Sequence, residues 1–279
     1  MTGFVLVDKP PGPTSHDVVD AVRKVFDLRR VGHAGTLDPP ASGLLVVAVG
    51  PATRLLRYVQ ELPKTYEATA RLGVRTTTLD ATGDEVSRSD VDVSPPSIRA
   101  AAAALVGNIE QIPPAVSAVK VSGERAYRKA RRGEDVELAP RAVTVYAFDV
   151  PRTSADAFDA RIVCSSGTYV RTLVADVGER LGCGAHVVHL RRTAIGHLSV
   201  QDAVALDAVD PGSLRAVEDV LTHLPRVDVD ADRAVLARNG RSIEAHATGD
   251  NVLVCGPDGA VGVFAPTDGL LRPVTVLGR

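Results

Sequence analysis

At 279 residues, 45% of them hydrophobic, the chain is long enough to bury a sizeable core without disulfides or metals, and it reads as two domains. It has no run of about 18 apolar residues, which excludes a transmembrane helix, and its start, Met1-Thr2-Gly3-Phe4-Val5-Leu6-Val7-Asp8, reads as a first strand and not an export signal. The net charge of −2 is unlike that of nucleic-acid binders that are basic overall, so any such contact has to come from local patches. Cys164, Cys183 and Cys255 are odd in number, widely spaced and without a Cys-x-x-Cys pair, which argues against a disulfide framework or a zinc site and fits a reducing, cytoplasmic setting. His186 and His189 stand three residues apart without a carboxylate cluster, so no metal is expected.

In chain order, Phe4 to Asp8 reads as a strand, and Lys9-Pro10-Pro11-Gly12 separates it from a helix opened by a Thr14/Asp17 capping box and carried by Val18, Val22, Val25 and Phe26. Leu44 to Val49 has the length and β-branched content of a strand buried on both faces. Lys64 to Leu72 alternates cleanly, so Tyr66 points inward. Ser94-Pro95-Pro96 caps a helix expected to run through the alanines to Val106 and to end at Gly107. Ser122 to Arg132 reads as a basic helix, with Arg125, Arg128, Lys129, Arg131 and Arg132 against the single acid Glu124; a plain solvated face explains it as well as a phosphate-contacting arm does. Further basic residues gather at Arg23, Lys24, Arg29, Arg30, Arg191 and Arg192.

Val143 to Val150 and Ala157 to Cys164 read as two strands joined by a polar connection at 152–156. Val170, Leu173, Val174, Val177 and Leu181 mark a helix stopped by Gly182, with Tyr169 and Arg171 in its first turn. A cation there faces the positive end of the helix dipole, so Arg171 requires either a compensating anion, such as a buried carboxylate or a phosphate, or a path out to solvent. After Pro225 the chain breaks into short segments at Asn239-Gly240, Gly249-Asp250 and Pro257-Asp258-Gly259, which read as tight turns of a β-rich module. The expected division is therefore 1–224 and 225–279.

The most informative stretch is Gly32-His33-Ala34-Gly35-Thr36-Leu37-Asp38-Pro39-Pro40-Ala41-Ser42-Gly43. Its glycines permit close backbone approach, its prolines stiffen the chain just past Asp38, and the apolar strand that follows puts a low-dielectric wall beside the carboxylate. Alone, Asp38-Pro39 could simply start a turn. The whole string, however, resembles the catalytic motif of the bacterial tRNA pseudouridine synthases of the TruB family, which modify uridine 55 in the T arm of tRNA. Separate strings agree with it: Val7 to Ser15 resembles the family's Lys-Pro-x-Gly segment, Lys64-Thr65-Tyr66 the strand bearing its tyrosine, Ser166 to Leu173 its Gly-Thr-Tyr-x-Arg segment, and Ala185 to Thr193 a fourth. Pro40 and Ser42 depart from the pattern, standing where the family often has a larger apolar residue and a threonine.

The resemblance implies an α+β pseudouridine synthase fold: a mixed, largely antiparallel sheet with flanking helices, plus a small C-terminal PUA-like RNA-binding module. It implies cleavage of the C1′–N1 bond and rejoining through C5, without a cofactor, on a base flipped out of the RNA stack. Asp38 is then the attacking group, Arg171 the cation that keeps it ionised, and Tyr66 the residue that stacks on the base and helps remove the C5 proton. His33 assists flipping, Tyr169 and Leu190 shape the pocket, and Lys9 supports the site. The implied partner is the tRNA T arm, met by a monomer without a membrane or an obligate protein partner. Three rivals remain at this point: an RNA chaperone with the same fold, a synthase acting on another RNA as within guide-RNA particles, and a hydrolase built on Asp38 and His33, which lacks a supporting Ser-His-Asp or metal constellation.

Overall fold

The computed structural model describes residues 1–114, 120–121, 124–125, 132, 134 and 138–278. It divides into two compact units, one made of Met1–Leu62 with Ile195–Arg279 and the other of Pro63–Ala194.

In the first unit the strand Gly3–Lys9 pairs antiparallel with Ser42–Val49 over its whole length, from Gly3 opposite Val49 to Lys9 opposite Gly43. Val31–His33 pairs antiparallel with the last residues of Ser42–Val49, and Val204–Ala205 runs parallel to Gly3–Lys9. As the unbroken apolar run predicts, Ser42–Val49 is buried on both sides. Leu44, Val46 and Ala48 point into one core, and Leu45, Val47 and Val49 into another. The helix Ser15–Phe26 closes the second of these cores through Val18, Val19, Val22 and Phe26. Its capping box is complete: the Asp17 N–H donates to Thr14 Oγ1 at 3.1 Å and the Thr14 N–H to Asp17 Oδ2 at 2.7 Å. Thr14 Oγ1, which donates to Asp17 Oδ2 at 2.8 Å, and then the Thr14 N–H hold the Asp17 carboxyl below its ordinary value.

The same unit carries a five-stranded sheet in the order Arg226–Asp228, Val252–Gly256, Gly259–Thr267, Leu270–Val276, Ile243–Glu244. Leu253, Cys255, Val263 and Leu277 of this region join the core that holds Phe4, Leu6 and Leu44. This region is β-rich, as expected, and it also holds a helix. Ala231–Arg238 is N-capped by Asp230, whose Oδ1 accepts the Arg233 N–H at 2.8 Å, and the turn at Asn239-Gly240 ends it.

In the second unit the strands lie in the order Ala185–Ile195, Lys64–Leu72, Ala157–Cys164, Arg141–Thr153, Gly107–Gln111. Lys64–Leu72 alternates buried and less buried residues, with Tyr66 buried opposite Ile162. Arg141–Thr153 is longer than expected because register shifts between Val145 and Ala147 and between Asp149 and Arg152 accommodate Pro151, leaving only 154–156 as the turn. The Ser94-capped helix spans Pro95–Ala103, not to Val106, and Gly107, at φ +116°, opens the next strand instead of closing the helix. Lys120–Val121 pairs antiparallel with Glu124–Arg125, so Glu124 and Arg125 are strand residues and not part of the expected helix. Arg128, Lys129 and Arg131 lie outside the described residues. Overall the architecture is α+β, as expected.

Candidate active site

Asp38 sits in the irregular loop after Val31–His33, and the backbone on either side of it is tied down. The loop leaves the strand with the Ala34 N–H on the Val46 carbonyl at 2.9 Å and turns at Gly35, whose φ of +107° lies where side chains are disfavoured. Leu37, just before the carboxylate, is held at both its peptide groups by one hydroxyl: Ser15 Oγ donates to the Leu37 carbonyl at 3.0 Å and accepts the Leu37 N–H at 2.8 Å. Pro39, just after it, has its carbonyl held by the Gly12 N–H at 2.8 Å and Lys9 Nζ at 3.2 Å. The Asp38 carbonyl accepts the Ala41 N–H at 3.1 Å. Ser15 and Leu37 are buried, and Asp38 is half-buried.

Lys9 is fully buried at the end of the first strand. Its ammonium also donates to the carbonyls of Pro10 (2.9 Å) and Pro13 (2.8 Å), collecting the proline-rich segment and the Asp38 loop on one charge. A proline-rich segment suits this role, because it has carbonyls to satisfy but few N–H groups of its own to pair with them, and an ammonium supplies the missing donors. His33 ends its strand half-buried, its carbonyl accepting from Gln60 Nε2 at 3.4 Å. This unit thus gathers Lys9, His33 and Asp38.

The other unit holds Tyr66, Tyr169, Arg171 and Leu190. Tyr169 is the N-cap of the helix Val170–Arg180 and so lies just outside it; Gln111 fixes it by donating to its carbonyl at 3.1 Å and accepting its N–H at 2.7 Å. Arg171, the second residue of that helix, is 4% exposed, which removes the solvent path. Its Nη1 donates to the Thr78 carbonyl at 2.7 Å and lies 3.5 Å from Asp80 Oδ2. The anion required at this helix start therefore includes a buried carboxylate from its own unit. Asp80 is itself held in place: its Oδ1 accepts from Thr78 Oγ1 at 2.6 Å and the Thr82 N–H at 3.0 Å, and its own carbonyl accepts from Thr76 Oγ1 at 2.7 Å. Leu190 is half-buried on Ala185–Ile195. Nearby in sequence, burial pushes the Cys164 thiol up to about 11, against smaller opposing effects from Thr168, Lys64 and Arg192, so it is no nucleophile. Of the basic segment, Arg132 is exposed, its Nε bonded to Glu134 at 2.6 Å.

The model for the N-terminal domain of TruB family pseudouridylate synthases matches residues 23–170, and that for the tRNA pseudouridylate synthase B C-terminal domain matches 171–234. The chain belongs to the TruB family. This TruB-family chain is 46% identical to tRNA pseudouridine synthase B of Thermobifida fusca (strain YX), over 98% of each chain. It is 44% identical to the protein of that name from Arthrobacter sp. (strain FB24), over 99% of this chain and 96% of the other. Among solved structures, that of a Cbf5-Nop10-Gar1 complex superposes with a TM-score of 0.75 at 26% identity, covering 99% of this chain and 84% of the other. Membership establishes the chemistry class: the TruB-family chain is a pseudouridine synthase.

Two residues that hold candidate site residues of this TruB-family chain, one in each unit, were not singled out from the sequence. Ser15 looks like the first residue of a helix, and its bond to Leu37 joins positions far apart in the chain. Asp80 lies in Thr76-Thr77-Thr78-Leu79-Asp80-Ala81-Thr82-Gly83, where hydroxyls flanking an acid on both sides were the available signal.

Proposed function

We propose that the protein isomerises uridine 55 in the T arm of tRNA to pseudouridine. The observation that carries this reading is the Asp38 loop, in which Ser15, Lys9 and Gly12 immobilise the residues on either side of a half-buried carboxylate. A carboxylate on a rigidly held backbone is what attack on a flipped nucleotide requires, since alignment of the reacting groups supplies much of the rate. Asp38 attacks the nucleotide, the C1′–N1 bond breaks, and the base rejoins through C5. Tyr66 stacks on the base and helps take the C5 proton, and Arg171 favours the ionised form of Asp38.

His33 assists flipping, Tyr169 and Leu190 shape the pocket, and Lys9 acts by holding the loop. Arg125, Arg128, Lys129, Arg131 and Arg132 form an arm for the RNA backbone, and 225–279 acts as the PUA-like RNA-binding module beside a catalytic region of 1–224. The enzyme works as a cytoplasmic monomer without a cofactor. The relatives named tRNA pseudouridine synthase B support tRNA as the substrate.

The test is tritium release from C5-labelled uridine in an unmodified tRNA transcript, using the wild type, Asp38→Asn, and a transcript with cytidine at position 55. Release by the wild type alone, lost with either change, is expected. A folded wild type that binds the transcript and releases nothing would overturn the assignment in favour of an RNA-binding role or a different RNA.

A further inference from the structure

The helix Val170–Arg180 does not cap itself. Thr14, Ser94 and Asp230 each cap the helix they precede with their own side chains, whereas the side chain of Tyr169, at the N-cap here, bonds none of the N–H groups behind it. Three residues on, where a Glu or Gln would reach back to the N-cap N–H, stands Thr172, whose buried hydroxyl has no hydrogen-bond partner among the described residues. The first turn also holds no acid, and it carries Arg171.

The missing cap comes from the sheet. Gln111, the last residue of the strand Gly107–Gln111, is 3% exposed. Its side-chain amide meets Tyr169 as one peptide group meets another in a ladder: Oε1 accepts the Tyr169 N–H at 2.7 Å and Nε2 donates to the Tyr169 carbonyl at 3.1 Å. That carbonyl also accepts the first bond inside the helix, from the Leu173 N–H at 3.2 Å. With both peptide groups of Tyr169 held by one side chain, its φ of −102° and ψ of 107° are fixed, and these angles aim the helix start.

The turn that leads into Tyr169 is tied at its other end to the same part of the sheet. The Ser165 N–H donates to the Thr144 carbonyl at 2.8 Å, and Ser165 Oγ accepts the Thr144 N–H at 2.9 Å. Thr144 Oγ1 in turn donates to Asn108 Oδ1, on the strand of Gln111, at 2.8 Å. Between these two ties lies Gly167 at φ +85°, where the chain bends most freely. Gln111 is thus the tie nearest to Arg171, and a long side chain at a helix start magnifies any tilt of the backbone that carries it.

We propose that Gln111 is a positioning residue of the isomerase, whose amide sets the helix start that delivers Tyr169 to the pocket and Arg171 to its task. This rests on the reading above in which Tyr169 shapes the pocket and Arg171 acts on Asp38. Gln111 itself touches no substrate.

The test compares the wild type with Gln111→Met, which keeps the volume and makes neither bond, and with Gln111→Glu. A neutral carboxyl donates and accepts as the amide does, while its anion only accepts. The readouts, from about pH 5 to about pH 8, are single-turnover tritium release at saturating enzyme, affinity for the tRNA transcript, and circular dichroism. Gln111→Met should lose about tenfold or more of the saturated rate at every pH, with affinity held within about twofold. The rate of Gln111→Glu, divided by that of the wild type at the same pH, should be highest at the acid end and fall to the Gln111→Met level as the new carboxyl ionises, with an unchanged spectrum. Burial and the Tyr169 carbonyl favour the neutral acid, against Arg141 across the strands, Arg171 and the positive helix end, which favour the anion. A near-wild-type saturated rate in Gln111→Met overturns the proposal, as does a Gln111→Glu ratio that is the same at every pH. A loss of rate seen only where the spectrum or the affinity changes overturns it too, since the amide would then serve folding or RNA binding alone. A wild type that binds the transcript and releases no tritium fails the functional reading itself.

Discussion

Replacing Ser15 by alanine isolates the clamp on the Asp38 loop. The hydroxyl makes two hydrogen bonds, to both peptide groups of a buried Leu37, at 2.8 and 3.0 Å. Each is worth about 1 kcal/mol net, and a buried peptide group left without a partner costs about 1–3 kcal/mol. Against this, alanine is the better helix former by about 0.5 kcal/mol at most. The balance is a loss of about 2–3 kcal/mol, with the Asp38 backbone freed from one side. Urea unfolding followed by circular dichroism measures the first quantity, and single-turnover tritium release measures the second. The rate at saturating enzyme should fall about tenfold or more, the equivalent of about 1.4 kcal/mol, while tRNA affinity holds. A variant with unchanged midpoint and unchanged rate would refute the view that this hydroxyl fixes the loop.

Asp80→Asn should destabilise the protein by about 3 kcal/mol, the low end for breaking a buried ion pair, because the Thr78 carbonyl still holds Arg171; a change under about 0.5 kcal/mol in urea unfolding would contradict it. Asp176→Asn should be stabilising near neutral pH. Burial raises the Asp176 carboxyl above its ordinary 3.8, more than Arg180 lowers it, with Glu179 adding to the rise. Its contribution is thus fully present below the unfolded value and lost as pH rises through the folded one. The gain in unfolding midpoint should therefore shrink as pH falls toward about 4, and a pH-independent difference would exclude this cause. Cys164, Cys183 and Cys255 are all buried, and burial pushes Cys164 and Cys255 up to about 11. A thiol reagent at mildly alkaline pH should accordingly label the protein only after denaturant is added, and rapid labelling of the native protein would count against the packing described.

Much of this was legible because local chemistry and global fold agree. The capping box at Thr14 and Asp17, the alternation of Lys64–Leu72 and the unbroken apolar run ending at Val49 each have one physical solution, and the structure adopts it. The helix Ala231–Arg238 escaped because its buried face is made of Ala234 and Ala237, while its large apolar residues, Val235 and Leu236, are 50% and 40% exposed. An apolar stripe read from side-chain size points the wrong way there. In the site, glycine and proline punctuation marked the Asp38 loop, whereas its clamp did not show, since Ser15 and Leu37 meet only after the helix and the loop are in place. The need of Arg171 for an anion was visible from the helix dipole; that Asp80 supplies one depended on a turn far away in sequence.

The first unit is assembled from both ends of the chain. Phe4, Leu6 and Leu44 share a core with Val217, Leu253, Val263 and Leu277. During synthesis the opening strands therefore emerge long before the residues that cover one of their faces, and they must wait while all of Pro63–Ala194 is made. That intervening stretch is continuous and can collapse on its own schedule, as contiguous domains do while a chain leaves the ribosome. Until the residues from Ile195 onward are made, that apolar face stays uncovered and open to aggregation.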